Sequence, residues 1–167
     1  MPGVTQAALG SALFFLVAPG VVAGLVPWAI TRYADPADPP VALLGLVVVS
    51  VGLAALIACF VQFVREGRGT PAPIAPTQEL VVGGPYRWVR NPMYLAVGAI
   101  ILGQALAFAS VGVLVWFGLF AVAVVSFVTA YEQPTLRRTY GASYDAYCRA
   151  VPAWWPRLTP WDGTSAP

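Results

Sequence analysis

Histidine is missing from all 167 residues, and lysine with it, so that the nine basic side chains are all arginine. Without histidine, and with no cysteine pair at ligand spacing, most zinc, haem and iron sites are excluded. The commonest general base is excluded too. Cysteine is nearly absent: Cys59 falls in an apolar run and Cys148 in a polar C-terminal stretch, so a disulfide between them is not expected. Charge is scarce. Charged residues make up 10% of the chain and hydrophobic ones 59%, whereas a soluble domain carries about a quarter charged residues. That balance points to an integral membrane protein. The net charge of +2 is too slight to suggest nucleic acid; topology and anionic headgroups explain the arginines better. Their exclusive use in place of lysine fits a genomic composition bias as readily as a functional choice.

What is present is long uncharged runs. The first goes from Pro2 to Thr31, and its interior, residues 8–30, is long enough for a hydrocarbon core that needs about 20 residues. Pro19, Gly20 and Pro27 are expected to kink or end it. A cleaved signal peptide is the alternative, but no basic segment precedes the run, and the run is longer than the apolar region of such peptides. A second span is expected over 41–64, with Gln62 its one strongly polar side chain. It follows the turn-rich Asp35-Pro36-Ala37-Asp38-Pro39-Pro40. From Arg90 to Glu132 there is no charge, and one helix over roughly 40 residues would be about 60 Å long, twice the hydrocarbon thickness. The chain must fold back, most naturally near Ala109-Ser110-Val111-Gly112. This gives spans at 92–108 and 113–131 in an antiparallel hairpin.

The fold class expected is therefore all-α: one bundle of about four transmembrane helices forming a single domain over 1–167. A motif loop would lie at 65–91 and a helical tail at 132–167. There is no room for a separate soluble catalytic domain, so any active site must come from loops and helix ends. One arginine lies between Ile30 and Val41, four lie from Arg65 to Arg90, and four follow Glu132. By the positive-inside rule the last two groups are cytoplasmic. The expected location is a bacterial plasma membrane, crossed several times, with both polar segments at the cytoplasmic face. Small residues such as Gly45, Gly52, Gly98 and Gly103 permit close helix contacts within one chain or between chains, which leaves the oligomeric state open.

The hairpin brings the two polar segments together. In the first, Gly67, Gly69, Pro71, Pro73 and Pro76 make a stiff lead-in, and Gly83-Gly84-Pro85 makes a tight turn with backbone N–H groups available to a ligand. Arg87 and Arg90 are three apart; on a helix they would share a face and clamp a carboxylate. As an alternative they are interfacial anchors beside Trp88 and Tyr94. In the second segment Glu132 is a carboxylate at the membrane exit, where an unpaired charge is unfavourable. Its partner is Arg87, Arg90 or Arg137, or a ligand's ammonium group. Tyr140, Tyr144 and Tyr147 follow at helical spacing, with a break at Gly141 and a cap at Ser143. They read as a packing face or as a roof over a site. Val151 to Arg157 reads as an interfacial anchor and the residues from Thr159 as a frayed end. An apolar cavity lined by side chains such as Phe60, Phe63, Leu95, Trp116 and Phe120 would suit a lipophilic ligand.

Gly84-Pro85-Tyr86-Arg87-Trp88-Val89-Arg90-Asn91-Pro92-Met93-Tyr94, followed by Glu132-Gln133-Pro134 and then Tyr140-Gly141, Tyr144, Tyr147 and Val151-Pro152, resembles the isoprenylcysteine carboxyl methyltransferase and phospholipid methyltransferase superfamily. The resemblance covers roughly residues 71–157. It implies a membrane enzyme that binds S-adenosylmethionine in a cytoplasmic pocket and takes a lipophilic small-molecule or lipidated acceptor from the surrounding membrane lipids. Tyr86, Arg87, Arg90, Pro92 and Tyr94 match the family's Arg-His-Pro-x-Tyr region, Gly84 and Pro85 the turn ahead of it, and Glu132 the first acid of its Glu-Glu pair. By that correspondence Arg87, Arg90 and Glu132 carry catalysis. Cofactor contacts would come from Gly84, Pro85, Tyr86, Arg87, Arg90, Asn91, Pro92, Tyr94, Glu132, Gln133 and Tyr144.

Three positions depart from the family pattern. Asn91 stands where histidine is usual, Gln133 where a second acid is frequent, and Tyr140 where phenylalanine commonly precedes glycine. Asparagine still offers a neutral hydrogen bond but takes up no proton, which tilts the reading away from an amine acceptor such as phosphatidylethanolamine and toward one already ionised or otherwise lipophilic. Two rival readings remain: a sterol-reductase-like membrane reductase using NADPH, whose C-terminal part resembles these methyltransferases, and a non-catalytic membrane subunit that keeps the fold, to which the missing histidine and Gln133 point.

Overall fold

A computed structural model describes residues 17–66 and 80–163. The start of the first expected span, the Gly/Pro-rich lead-in and the last four residues lie outside the described residues.

Within them every regular element is a helix. Helix α1 is Val17–Thr31, α2 Pro39–Glu66, α3 Pro92–Ala107, α4 Val111–Tyr140 and α5 Ala142–Ala150, with a 3-10 turn at Gly84–Arg87 before α3. Two stretches, Pro39–Gln62 and Val111–Tyr140, are long and apolar enough to cross a membrane; α1 and α3 are shorter apolar helices. Both long ones direct most of their side chains outward: Leu43, Val51, Ile57, Leu119 and Val122 are all more than half exposed. That is the pattern of a surface solvated by hydrocarbon rather than water.

The closest pairing is α2 against α3, and glycine makes it possible. A methyl group on Gly45 would lie 2.5 Å from both the Gly103 carbonyl and the Ala107 amide; one on Gly103 would lie 2.7 Å from the Gly45 carbonyl. Backbone therefore meets backbone, as small residues allow between apolar helices. Around this contact Leu56, Ala96, Val97, Ile100 and Ile101 form the core together with Ala23 of α1 and Val113 of α4.

Prolines do not end the helices they occupy. Pro27 sits two residues after a π-helical segment, Gly20–Leu25, and Pro134 sits two residues after another, Val128–Glu132. A proline lacks an N–H and its ring crowds the carbonyl four residues back, here Ala23 and Ala130. A widened turn displaces that carbonyl and lets the helix continue. At Pro27 the freed acceptor is filled from elsewhere: Gln104 on α3 donates its side-chain amide to the Ala23 carbonyl at 2.7 Å and to the Ile100 carbonyl at 3.1 Å. The Trp116 indole N–H reaches the Val22 carbonyl at 2.9 Å. Tyr33 donates its hydroxyl to Gln104 Oε1 at 3.1 Å and stacks on Phe108.

The expected hairpin is present, with its turn at Phe108 to Ser110. The Ser110 amide bonds the Ala105 carbonyl, and the Ser110 hydroxyl caps α4 by accepting from the Val113 amide. The expected end of the fourth helix at 131 is corrected: α4 passes through Glu132 and continues to Tyr140, because the π turn accommodates Pro134. The break at Gly141 is real, with φ +53. Ser143 does not cap α5; Gly141 occupies that position and no side chain bonds there.

Candidate active site

The two polar segments meet at the end of the bundle where α2 finishes and α3 begins. Gly84 opens the motif with φ +52, and a side chain there would strike the Gln62 amide oxygen at 2.7 Å. The position requires glycine. The Tyr86 amide then bonds the Gly83 carbonyl and the Trp88 amide the Pro85 carbonyl. The turn uses these two donors itself. Pro92 supplies the first turn of α3, where its missing N–H is harmless.

The tail straps this loop. The amides of Arg157 and Trp161 donate to the carbonyls of Trp88 and Arg87 at 2.8 and 2.9 Å, and the Arg90 amide donates to the Pro152 carbonyl at 2.9 Å. Tyr147 of α5 donates its hydroxyl to the Tyr86 carbonyl at 2.7 Å. Tyr144, Tyr147 and Val151 are buried together, with Leu80, Leu136 and Tyr140 packed against them. The tyrosine stripe is thus a packing face, and what it packs on is the motif. Burial pushes the Tyr144 phenol up to about 12 and raises that of Tyr147 as well, so both are neutral at pH 7.

Arg87 and Arg90 part company. The 3-10 turn ends at Arg87 and no continuous helix links the two, so the helical face they were expected to share is absent. Arg87 Nε donates to the Trp161 carbonyl. Arg90 Nη1 donates to Cys148 Sγ at 2.7 Å, while its Nε is buried with no hydrogen-bond partner among the described residues. Asn91, 8% exposed, donates its side-chain amide to the Ala153 carbonyl at 3.1 Å.

Glu132 is brought to α3 by the π turn of α4. Inward-facing residues of α4 recur every four positions at Val124, Val128, Glu132 and Leu136, and on an ideal α-helix each such step drifts about 40° off the face. The wider π turn cancels much of that drift. Glu132 Oε2 then accepts from the Tyr94 hydroxyl at 2.8 Å. Of the two alternatives for Glu132, the ion pair with Arg87, Arg90 or Arg137 is not formed: Arg137 binds Asp145 at 2.8 Å, and Glu132 has no cation partner among the described residues. Tyr86, buried between the two halves, lies within electrostatic reach of Glu132 and Tyr94 on one side and Tyr147 on the other. Gln133 is half-buried, and its amide closes the π turn onto the Val128 carbonyl.

Beside Tyr94 runs a part-open groove of about 290 Å3 between α3 and α4, lined almost wholly by apolar side chains. Leu95 and Phe120 line it as expected; Phe60 and Trp116 do not, and Trp116 is turned toward α1. The one lining residue from outside the hairpin is Trp154, which the sequence marks only as an anchor. Cys148 is likewise silent in sequence, since nothing local announces that α5 will carry it to Arg90.

A family model described as phospholipid methyltransferase matches residues 41–143, from the start of α2 into α5. No curated protein and no solved structure matches the chain.

Proposed function

The chain belongs to the phospholipid methyltransferase family, and from that membership we propose that it transfers a methyl group from S-adenosylmethionine to a lipophilic acceptor at the cytoplasmic face of a bacterial plasma membrane. In this reading all four apolar helices, α1 to α4, cross the bilayer. The arginine-rich motif and tail lie inside.

The observation that carries the proposal is two incompletely satisfied charged groups at the motif end, one of them next to the apolar groove through Tyr94. Glu132 has no cation and the Arg90 guanidinium has an orphaned Nε among the described residues. Unpaired ionic groups in a low-dielectric setting are unfavourable unless a ligand completes them. S-adenosylmethionine carries an ammonium, a carboxylate and a ribose, which are complementary to this donor set. Glu132 would hold the ammonium or the ribose hydroxyls, and Arg90 the carboxylate. Tyr86 and Tyr94 would present aromatic faces suited to a cation. Arg87, whose Nε fastens the tail, supports the pocket rather than filling it. When bound, the cofactor supplies an electrophilic methyl group on a sulfonium.

The chain's own part is alignment and exclusion of water. Tyr94 lines the groove and its hydroxyl bonds Glu132 behind the wall, so in this reading an acceptor lying in the groove would present its nucleophilic atom at the Tyr94 end. With no histidine in the chain, the residue placed to take a proton at that end is Glu132. An acceptor already ionised needs no such step.

Saturable binding of S-adenosylmethionine to the detergent-purified protein, measured beside NADPH and repeated with Glu132→Ala, tests the reading. We expect the variant to lose about ten- to a hundredfold in S-adenosylmethionine affinity, as for a charged hydrogen bond removed. Binding of NADPH alone would favour a reductase. Binding of neither would favour a non-catalytic subunit.

A further inference from the structure

We propose that the groove between α3 and α4 takes the single apolar chain of the acceptor, and that Trp154, held in place by Asn91, sets what the groove admits; this deepens the methyltransferase reading and rests on it. Trp154 is the one wall of the groove not carried by a helix. The tail around it has no regular structure, so its position depends on the bonds that flank it: the Arg157 amide to the Trp88 carbonyl after it, and two just before it. The Arg90 amide holds the Pro152 carbonyl and the Asn91 side chain holds the Ala153 carbonyl. Asn91 thus spends its donor on the residue directly preceding Trp154. A neutral amide serves this purpose at any pH, whereas a carboxylate at the same place would repel the carbonyl.

Size argues for one chain. A volume of about 290 Å3 corresponds to roughly ten water-sized groups, which between the groove's walls is room for one short apolar chain and not for two side by side. Small residues, Gly98, Ala99 and Ala121, leave that space, and the ring of Phe117 closes its floor against Gly98. Tyr94, the one lining residue with a hydroxyl, bonds Glu132 behind the wall and gives the occupant a direction: tail along the groove, reactive head at the Tyr94 end.

Bromodecanoate, a single-chain quencher of tryptophan, and a brominated diacyl phosphatidylcholine are the probes, added to the full-length protein in detergent. Bromodecanoate is expected to quench saturably a component of fluorescence that Trp154→Phe removes and that Ala121→Phe, which fills the groove, makes inaccessible. Asn91→Ala weakens its binding about fivefold, the equivalent of one hydrogen bond. Asn91→His, which still donates, restores it, and Asn91→Asp does not. Equal saturation by the two-chain lipid would overturn the single-chain assignment. S-adenosylmethionine affinity is followed in parallel: a loss in Asn91→Ala matching the loss for bromodecanoate would assign Asn91 to the cofactor pocket and overturn its role as a latch. Wild-type protein that saturates with bromodecanoate but never with S-adenosylmethionine would uphold the groove while removing the methyltransferase reading.

Discussion

The two ends of the bundle treat polar groups in opposite ways. At the end where α3 turns into α4, each strongly polar side chain of the interior finds its partner inside the protein. Gln104 donates to Ala23 and Ile100 and accepts from Tyr33, Trp116 donates to Val22, and the Ala37 amide bonds the last carbonyl of α3. At the motif end, a carboxylate lies without a cation and a guanidinium nitrogen without an acceptor among the described residues. There the irregular tail is held by a handful of backbone bonds. The first end is organised for stability. Charge left uncompensated at the second is what a charged ligand would complete.

The largest effect is expected where the turn end is most tightly fitted. Gly103→Val places a side chain within 3 Å of the Gly45 carbonyl and the Val49 amide, so α2 and α3 must separate. Overpacking of this kind costs about 3 kcal/mol, read as a lowered midpoint in denaturant titration of the detergent-solubilised protein. A smaller loss follows from Gln104→Leu, which orphans the Ala23 carbonyl and leaves the Tyr33 hydroxyl only its longer contact with the Gly24 carbonyl, for about 1–2 kcal/mol. The matching change at the other end has the opposite sign: Glu132→Gln keeps a partner for Tyr94 and removes an uncompensated charge, so the midpoint without ligand stays level or rises. Equal destabilisation by the two glutamine-site and glutamate-site variants would break the comparison.

Sequence reveals the turn end's architecture but not its fastening. Uncharged runs locate α2, α3 and the hairpin, because a helix surface in hydrocarbon tolerates no charge. It does not reveal that Pro27 and Pro134 are bridged by π turns, because proline's usual effect is to stop a helix and the relief lies in backbone geometry. The extension of α4 past Glu132 is missed for that reason. Gln104, an amide in the middle of an uncharged run, is a readable signal of an interhelical bond. At the motif end the pairing of loop and tail follows from topology, whereas the partners do not. Arg87 and Arg90 diverge only because the 3-10 turn stops between them, and Trp154 reaches the groove only through a tail with no periodicity to read.

The smallest effect concerns the strap itself. Tyr144 and Tyr147 are buried against the motif as neutral phenols, and burial raises both, Tyr144 to about 12. An ordinary phenol titrates near 10. Below that pH the folded and released tails carry the same protons, and the strap keeps its full stability. Between about 10 and 12 a released tail loses protons that the docked one retains, so docking weakens as pH rises. Above about 12 this contribution is gone. Cleavage of the tail by an alkaline-active protease should therefore accelerate by roughly a few-fold over that window, beyond the change seen on a denatured control. Tyr147→Phe lacks one titrating phenol and also the bond to the Tyr86 carbonyl. It should start looser at neutral pH and respond less to alkali. A strap that loosened equally in both proteins would mean that the phenols do not govern its docking. The contrast between a closed end and a ligand-ready one would then rest on Glu132 and Arg90 alone.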